Sequence, residues 1–284
     1  MGEDIDVKEN AEQDTFSITM ELQRPLFVDK LEEINDKNEK KSNIKRKLLL
    51  GIGISAVIAV LGTFIWLTQT YSPKETAKAA LVSNKNVDVK INDYISFTPK
   101  NVEATKGFIL YPGAKVEPEV YAPFCEKIAE KGYEVVIIES PLNIPLLGKN
   151  DAEKVMNDYR DITHWVVGGH SLGGVAASDF ASKNNMVDGV VLLASYPMND
   201  DLKKMGKEVL SIWGSKDGVV NFKDLIKSRE KLPESTTYVE VEGANHSQFG
   251  DYGLQRGDNE AIITSEKQMN ITYKNIVKFL ENIN

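Results

Sequence analysis

The stretch from Thr163 to Val175, Thr-His-Trp-Val-Val-Gly-Gly-His-Ser-Leu-Gly-Gly-Val, admits few backbone solutions. The apolar run Trp165, Val166 and Val167 reads as a buried strand. It breaks into Gly169-His170-Ser171-Leu172-Gly173, and the small, helix-compatible Ala176, Ala177 and Ser178 follow. A G-x-S-x-G corner joins strand to helix so sharply that its serine takes a strained backbone conformation. Flanking side chains would collide there, which is why glycines surround it. The hydroxyl then stands clear of the sheet, beside the free N–H groups and positive dipole end of a helix start. Ser171 is therefore a candidate nucleophile.

The rest of the chain alternates in the same manner. Val87–Phe97 alternates apolar and polar residues, as one or two half-buried antiparallel strands do. Near-continuous apolar strands are expected at Gly107–Tyr111, Tyr133–Ile138, His164–Val167, Gly189–Ala194, Val209–Trp213 and Thr237–Val241. Helical spacing falls at Glu117–Lys131, Ala152–Asp161, Phe222–Lys231 and Ser265–Asn282. Such a pattern predicts an α/β domain over residues 87–284: a mostly parallel sheet covered by helices on both faces. Functional residues should then gather at the carboxyl ends of the strands.

Ahead of that domain, Leu48 through Leu67 contains no charged residue, and its length of about 20 residues suffices to cross a hydrocarbon core as a helix. Lys40, Lys41, Lys45, Arg46 and Lys47 precede it, against Lys74, Lys78 and Lys85 beyond it. That bias predicts a cytoplasmic N-terminus and an extracellular domain. A cleaved signal peptide would begin nearer residue 1, so residues 44–68 read as an uncleaved transmembrane signal anchor. Residues 1–43 are acidic and expected to be a disordered cytoplasmic tail, and residues 69–86 a polar stalk. Gly51, Ser55 and Ala59 form a small-xxx-small stripe able to pair helices weakly. The net charge of −8, without a basic stripe in the globular part, argues against a nucleic-acid partner. Cys125, the single cysteine, excludes an intrachain disulfide and a thiolate zinc site, and it reads as a buried thiol.

A serine needs a base, and the base an acid that fixes its tautomer. Of the three histidines, His164 enters the elbow strand from its amino end, and His170 lies within the turn, pointing away from a relay. His246 follows the strand Thr237–Val241 at a carboxyl end and is the candidate base. Asp217 follows Val209–Trp213 at another carboxyl end and is the candidate acid, ahead of Asp200 and Asp201.

The order Ser171, Asp217, His246 is that of α/β-hydrolases. With Tyr111-Pro112-Gly113-Ala114, Trp213-Gly214-Ser215-Lys216-Asp217 and Asn245-His246-Ser247-Gln248-Phe249-Gly250-Asp251-Tyr252-Gly253, the chain from Ile95 onward resembles the α/β-hydrolase superfamily. Within it, the resemblance is to the small dienelactone-hydrolase-like branch of membrane-anchored bacterial proteins. It implies an α/β-hydrolase fold, a serine hydrolase acting on a small ester or lipid-like substrate through an acyl-enzyme, and no metal or organic cofactor. The oxyanion hole would use the N–H of Leu172. Its second donor would be Ala114, with Gly113 next, because Pro112 stands where the family usually has histidine and has no N–H.

Only about 14 residues link Gly189–Ala194 to Val209, too few for a large cap, which predicts an open site. The apolar loop Pro141–Gly148 either lines an acyl pocket or packs over the domain. An acyltransferase on a cell-surface alcohol and a catalytically idle binding module are the competing functions.

Overall fold

The computed structural model describes residues 6–284, with side chains from residue 28 onward except 66–68. It divides into a single long helix and the unit that begins at Leu67.

Helix α1 spans Asp6–Thr68. Among the described residues it is the one helix long and apolar enough to cross a membrane, over Val28–Ile65. It also runs through most of the segment expected to be a disordered tail. Residues 1–5 of that segment lie outside the described residues, and the remainder is helical. The stretch from residue 28 to 43 has no glycine or proline, and its charges pair at i,i+4: Lys37 with Glu33 at 2.7 Å and Lys40 with Asp36 at 3.1 Å. Both pairs put the acid N-terminal to the base, the favourable order on a helix.

In the second unit, eight strands form one sheet in the order β1-β2-β4-β3-β5-β6-β7-β8. They are β1 Val87–Ile91, β2 Tyr94–Pro99, β3 Lys106–Tyr111, β4 Glu134–Ile138, β5 His164–His170, β6 Val187–Leu193, β7 Glu208–Gly214 and β8 Thr237–Val241. β1 and β2 pair antiparallel, β2 also runs antiparallel to β4, and all further pairs are parallel. Alternation along the inner strands sends side chains to two separate cores. Phe108, Leu110, Val166, Val191 and Ile212 pack with Phe124, Cys125 and Ile128 of α3 (Ala122–Ala129) and with Met269, Ile276 and Leu280 of the last helix, Ser265–Asn282. Ile109, Val136, Val167, Val190 and Leu192 face α4 (Asp151–Asp158) and α5 (Leu172–Ala181). Burial pushes the Cys125 thiol well up, which keeps it an inert core group. Between β6 and β7 there is only the short helix α6, Asp201–Lys204, so no cap covers the carboxyl ends. A further short helix, α7, spans Phe222–Lys227, and the C-terminal helix Ser265–Asn282 is α8.

The expected stalk is a packed strap. Residues Glu75–Ala80 form α2, with Ala77 and Ala80 buried. Tyr71 N–H donates to the Lys115 carbonyl at 2.8 Å, and Glu117 N–H donates to the Tyr71 carbonyl at 3.0 Å. On the other side, Asp251 accepts from Lys74 N–H and Ala77 N–H, each at 2.9 Å, while the Tyr71 ring lies 5.4 Å from that of Tyr252. The polar composition reads as a stalk with room for a short helix at Glu75–Leu81; that helix is α2, and the backbone bonds of Tyr71, Lys74 and Ala77 dock the segment on the domain.

Glu134 opens β4 with its side chain buried, beside a cavity of about 790 Å³ at the amino-terminal end of the sheet. Burial pushes its carboxyl up to about 7, offset in part by the bond that Thr98 Oγ1 donates at 3.0 Å. A carboxyl raised in the folded state stabilises fully below its unfolded value of about 4.3, and that contribution is lost as pH rises through about 7. Glu134→Gln is therefore expected to flatten the fall in melting temperature between about pH 4.5 and 7.5, and to raise it at pH 8. Thermal denaturation of both proteins across that range checks this.

Candidate active site

β5 and α5 meet at Ser171, which holds φ 53° and ψ −123°. Few non-glycine residues adopt this conformation, and the surroundings impose it. Ser171 N–H donates to the Leu193 carbonyl at 2.9 Å, and the Ser171 carbonyl accepts from Ser195 Oγ at 2.6 Å and Gly174 N–H at 3.1 Å. Any β-carbon on Gly173 would strike the carbonyls of Tyr111 and Pro112, so α5 can approach β3 this closely only with glycine.

His246 and Asp217 come together in the loops after β8 and β7. His246 Nδ1 lies 2.7 Å from Asp217 Oδ2, with both side chains almost fully buried. The other carboxylate oxygen, Oδ1, accepts from Val219 N–H and Val220 N–H, each at 2.8 Å. Two backbone donors and one imidazole therefore hold Asp217 as an acceptor, and this places the His246 proton on Nδ1. His246 Nε2 has no protein partner. His246 lines the same cavity, about 340 Å³, as Ser171 and Leu172. The runner-up acids lie elsewhere: Asp200 and Asp201 pair with Lys204 beside α6.

The other two histidines are accounted for. His164 faces Asp188 at 3.2 Å, at the amino end of β5. His170 is fully buried, with its ring 4.4 Å from that of His246. Burial, and then the neighbouring His246, hold its pKa well below the usual range, so it packs as a neutral ring against His246. Tyr121, also fully buried, links it to the turn after β3. Its hydroxyl accepts from Gly113 N–H at 2.8 Å and lies 3.0 Å from His170 Nδ1, to which its proton is free to donate.

That arrangement corrects one expectation. Gly113 cannot be a free oxyanion donor, because its N–H is already committed to Tyr121. Leu172 N–H and Ala114 N–H have no acceptor among the described residues.

Asp258 is the residue that sequence reasoning missed. Its carboxylate accepts from Gly218 N–H at 2.9 Å, from Ser247 N–H at 2.8 Å and from Ser247 Oγ at 2.5 Å. It thereby ties the loop carrying Asp217 to the loop carrying His246. The sequence held no signal for this role, since one acid in a glycine-rich loop has no telling spacing.

An eight-stranded, mostly parallel sheet with an antiparallel start and a strained serine at the strand-to-helix turn after β5 is an α/β-hydrolase architecture. Residues 107–270 match the alpha/beta hydrolase family, and the chain belongs to it. Among solved structures, its fold is similar to a soluble variant of monoglyceride lipase from Saccharomyces cerevisiae, in complex with a substrate analogue, at TM-score 0.53 and 11% identity over 76% of this chain and 99% of that one. It is also similar to the esterase domain of a Rhodothermus marinus protein, at TM-score 0.51 and 11% identity over 68% and 96% of the two chains. A Mycobacterium tuberculosis esterase matches at TM-score 0.51 and 13% identity over 71% and 95%. No curated protein matches the sequence.

Proposed function

We propose that this protein is a membrane-anchored serine hydrolase that cleaves carboxylic esters. The observation that carries the reading is the buried His246–Asp217 pair at 2.7 Å, lining one cavity with the strained Ser171. In this mechanism His246 Nε2 takes the Ser171 proton as Oγ attacks the ester carbonyl, and the imidazolium that forms is stabilised by Asp217. The oxyanion develops toward Leu172 N–H and Ala114 N–H. Collapse expels the alcohol, which takes its proton from His246, and water deacylates the enzyme with His246 as base. The short β6–β7 connection and the absence of a cap support placing it in the small dienelactone-hydrolase-like branch. The apolar part of α1 and the basic residues before it support a single-pass anchor with the N-terminus inside and the hydrolase domain outside. Esterase names among the structural relatives agree with the ester chemistry.

The test is labelling of the full-length chain with a fluorophosphonate probe, which reports an activated serine whatever the natural substrate. Wild type is expected to label, and Ser171→Ala and His246→Ala are expected not to. A folded wild type that stays unlabelled would overturn the proposal in favour of a binding module. Asp258 is a positioning residue in this reading. Asp258→Ala is expected to lower kcat by up to about 100-fold, with KM little changed, since loosening the two loops misplaces the base. Steady-state kinetics on a p-nitrophenyl ester check this.

A further inference from the structure

A second cavity lies next to the one beside Ser171. About 310 Å³ in volume, it lies along the outer face of α5 and is lined by Leu146, Lys149, Val175, Ser178, Asp179, Met198 and Asn199. Val175 and Met198 also line the Ser171 cavity, so the two cavities adjoin at that pair and together outline a trough, with Val175 and Met198 at its waist. Each half is at the lower end of the size range of ligand sites. Away from Ser171 the trough passes Leu172, Val175, Met198 and Leu146, none of them charged. It ends where Lys149 Nζ meets Asp179 at 2.8 Å. Met198 is 70% exposed and Leu146 41% exposed, which leaves apolar surface uncovered along this path.

Resting on the hydrolase reading above, we propose that the trough is the acyl subsite and that Val175 and Met198 set the chain length accepted. The acyl group is the arm that stays covalently on Ser171 after the alcohol departs. The floor under it belongs to α5, the helix that starts at that serine. An unbranched alkyl chain buries apolar surface along Leu172, Val175, Met198 and Leu146, whereas a charged acyl group finds no free counter-ion there, because Lys149 is paired with Asp179. Each methylene that crosses the waist adds to binding, until the ion pair stops the chain.

The experiment uses the full-length protein in lipid nanodiscs with p-nitrophenyl acetate and octanoate, and it reads the ratio of kcat/KM for the two. Val175→Phe, which fills the waist, is expected to lower the octanoate-to-acetate ratio at least tenfold. Met198→Trp fills the waist from the exposed side, where folding is not at risk, and is expected to lower it in the same direction. Met198→Ala is expected to raise it. Fluorophosphonate labelling of the wild type separates the two levels of the argument. If wild type labels and the ratio is unmoved by both Val175→Phe and Met198→Trp, the subsite assignment fails and the hydrolase reading stands. If wild type does not label, the hydrolase reading falls and takes the subsite with it.

Discussion

Asp217→Asn is expected to lower turnover by roughly four orders of magnitude while leaving the fold and KM nearly unchanged. The geometry explains why so small a change should cost so much. Asp217 Oδ1 accepts two backbone N–H groups, from Val219 and Val220, and Oδ2 faces His246 Nδ1. An asparagine would keep its single oxygen where two donors need it, because turning its amide nitrogen toward them would set donor against donor. The NH2 group then points at His246 Nδ1 and forces that nitrogen to accept. The imidazole proton moves to Nε2, and a protonated Nε2 cannot take the proton of Ser171. Binding groups are untouched, so the loss should appear in kcat. The measurement is steady-state turnover of a p-nitrophenyl ester beside a thermal melt. A variant that retains turnover within tenfold of wild type would show that the His246–Asp217 pair is structural only.

Much of this architecture was legible before any coordinates, and the reason is physical. Parallel strands buried on both faces must be near-continuous in Val, Ile and Leu, so the five inner parallel strands were visible as short apolar runs, while the edge strand β8, with Thr237 and Glu240 exposed, showed only as an alternating segment. The elbow was visible because only glycine tolerates the contact of Gly173 with the Tyr111 and Pro112 carbonyls. The pairing of the candidate residues Asp217 and His246 follows from strand ends, since a carboxyl end is where two such loops can meet. What stayed hidden depends on contacts between distant loops. Tyr121 takes the N–H of Gly113 through a fold of the chain that no local spacing announces. Asp258 reaches Gly218, 40 residues away, through a loop of irregular backbone. Helix α1 was underestimated because acidity without an apolar face resembles disorder, while the stabilising i,i+4 pairs lie on an exposed surface.

The strap shows how far such a hidden contact can matter. A fragment of residues 82–284 is expected to melt roughly 5–10 °C below one of residues 69–284, and to turn over substrate at least tenfold more slowly. The shorter fragment loses the Tyr71 bonds to Lys115 and Glu117, the Lys74 and Ala77 bonds to Asp251, the Arg256 N–H bond to Tyr71 Oη at 3.2 Å and the buried side of α2. Hydrogen bonds and buried apolar surface are lost together while chain entropy is released, and the expected remainder is on the order of 2–3 kcal/mol. For a domain of this size, that corresponds to the expected fall in melting temperature. The effect on turnover follows from where the strap is docked. One side holds residues 115–117, just after Ala114, and the other holds residues 251–256, just after His246. In the proposed mechanism, freeing the chain from Tyr71 costs the turn that carries Ala114 and the loop that carries His246 a shared brace, and both must be positioned for the same transition state. Equal melting temperatures and equal turnover in the two fragments would overturn this role and return residues 69–81 to being a tether.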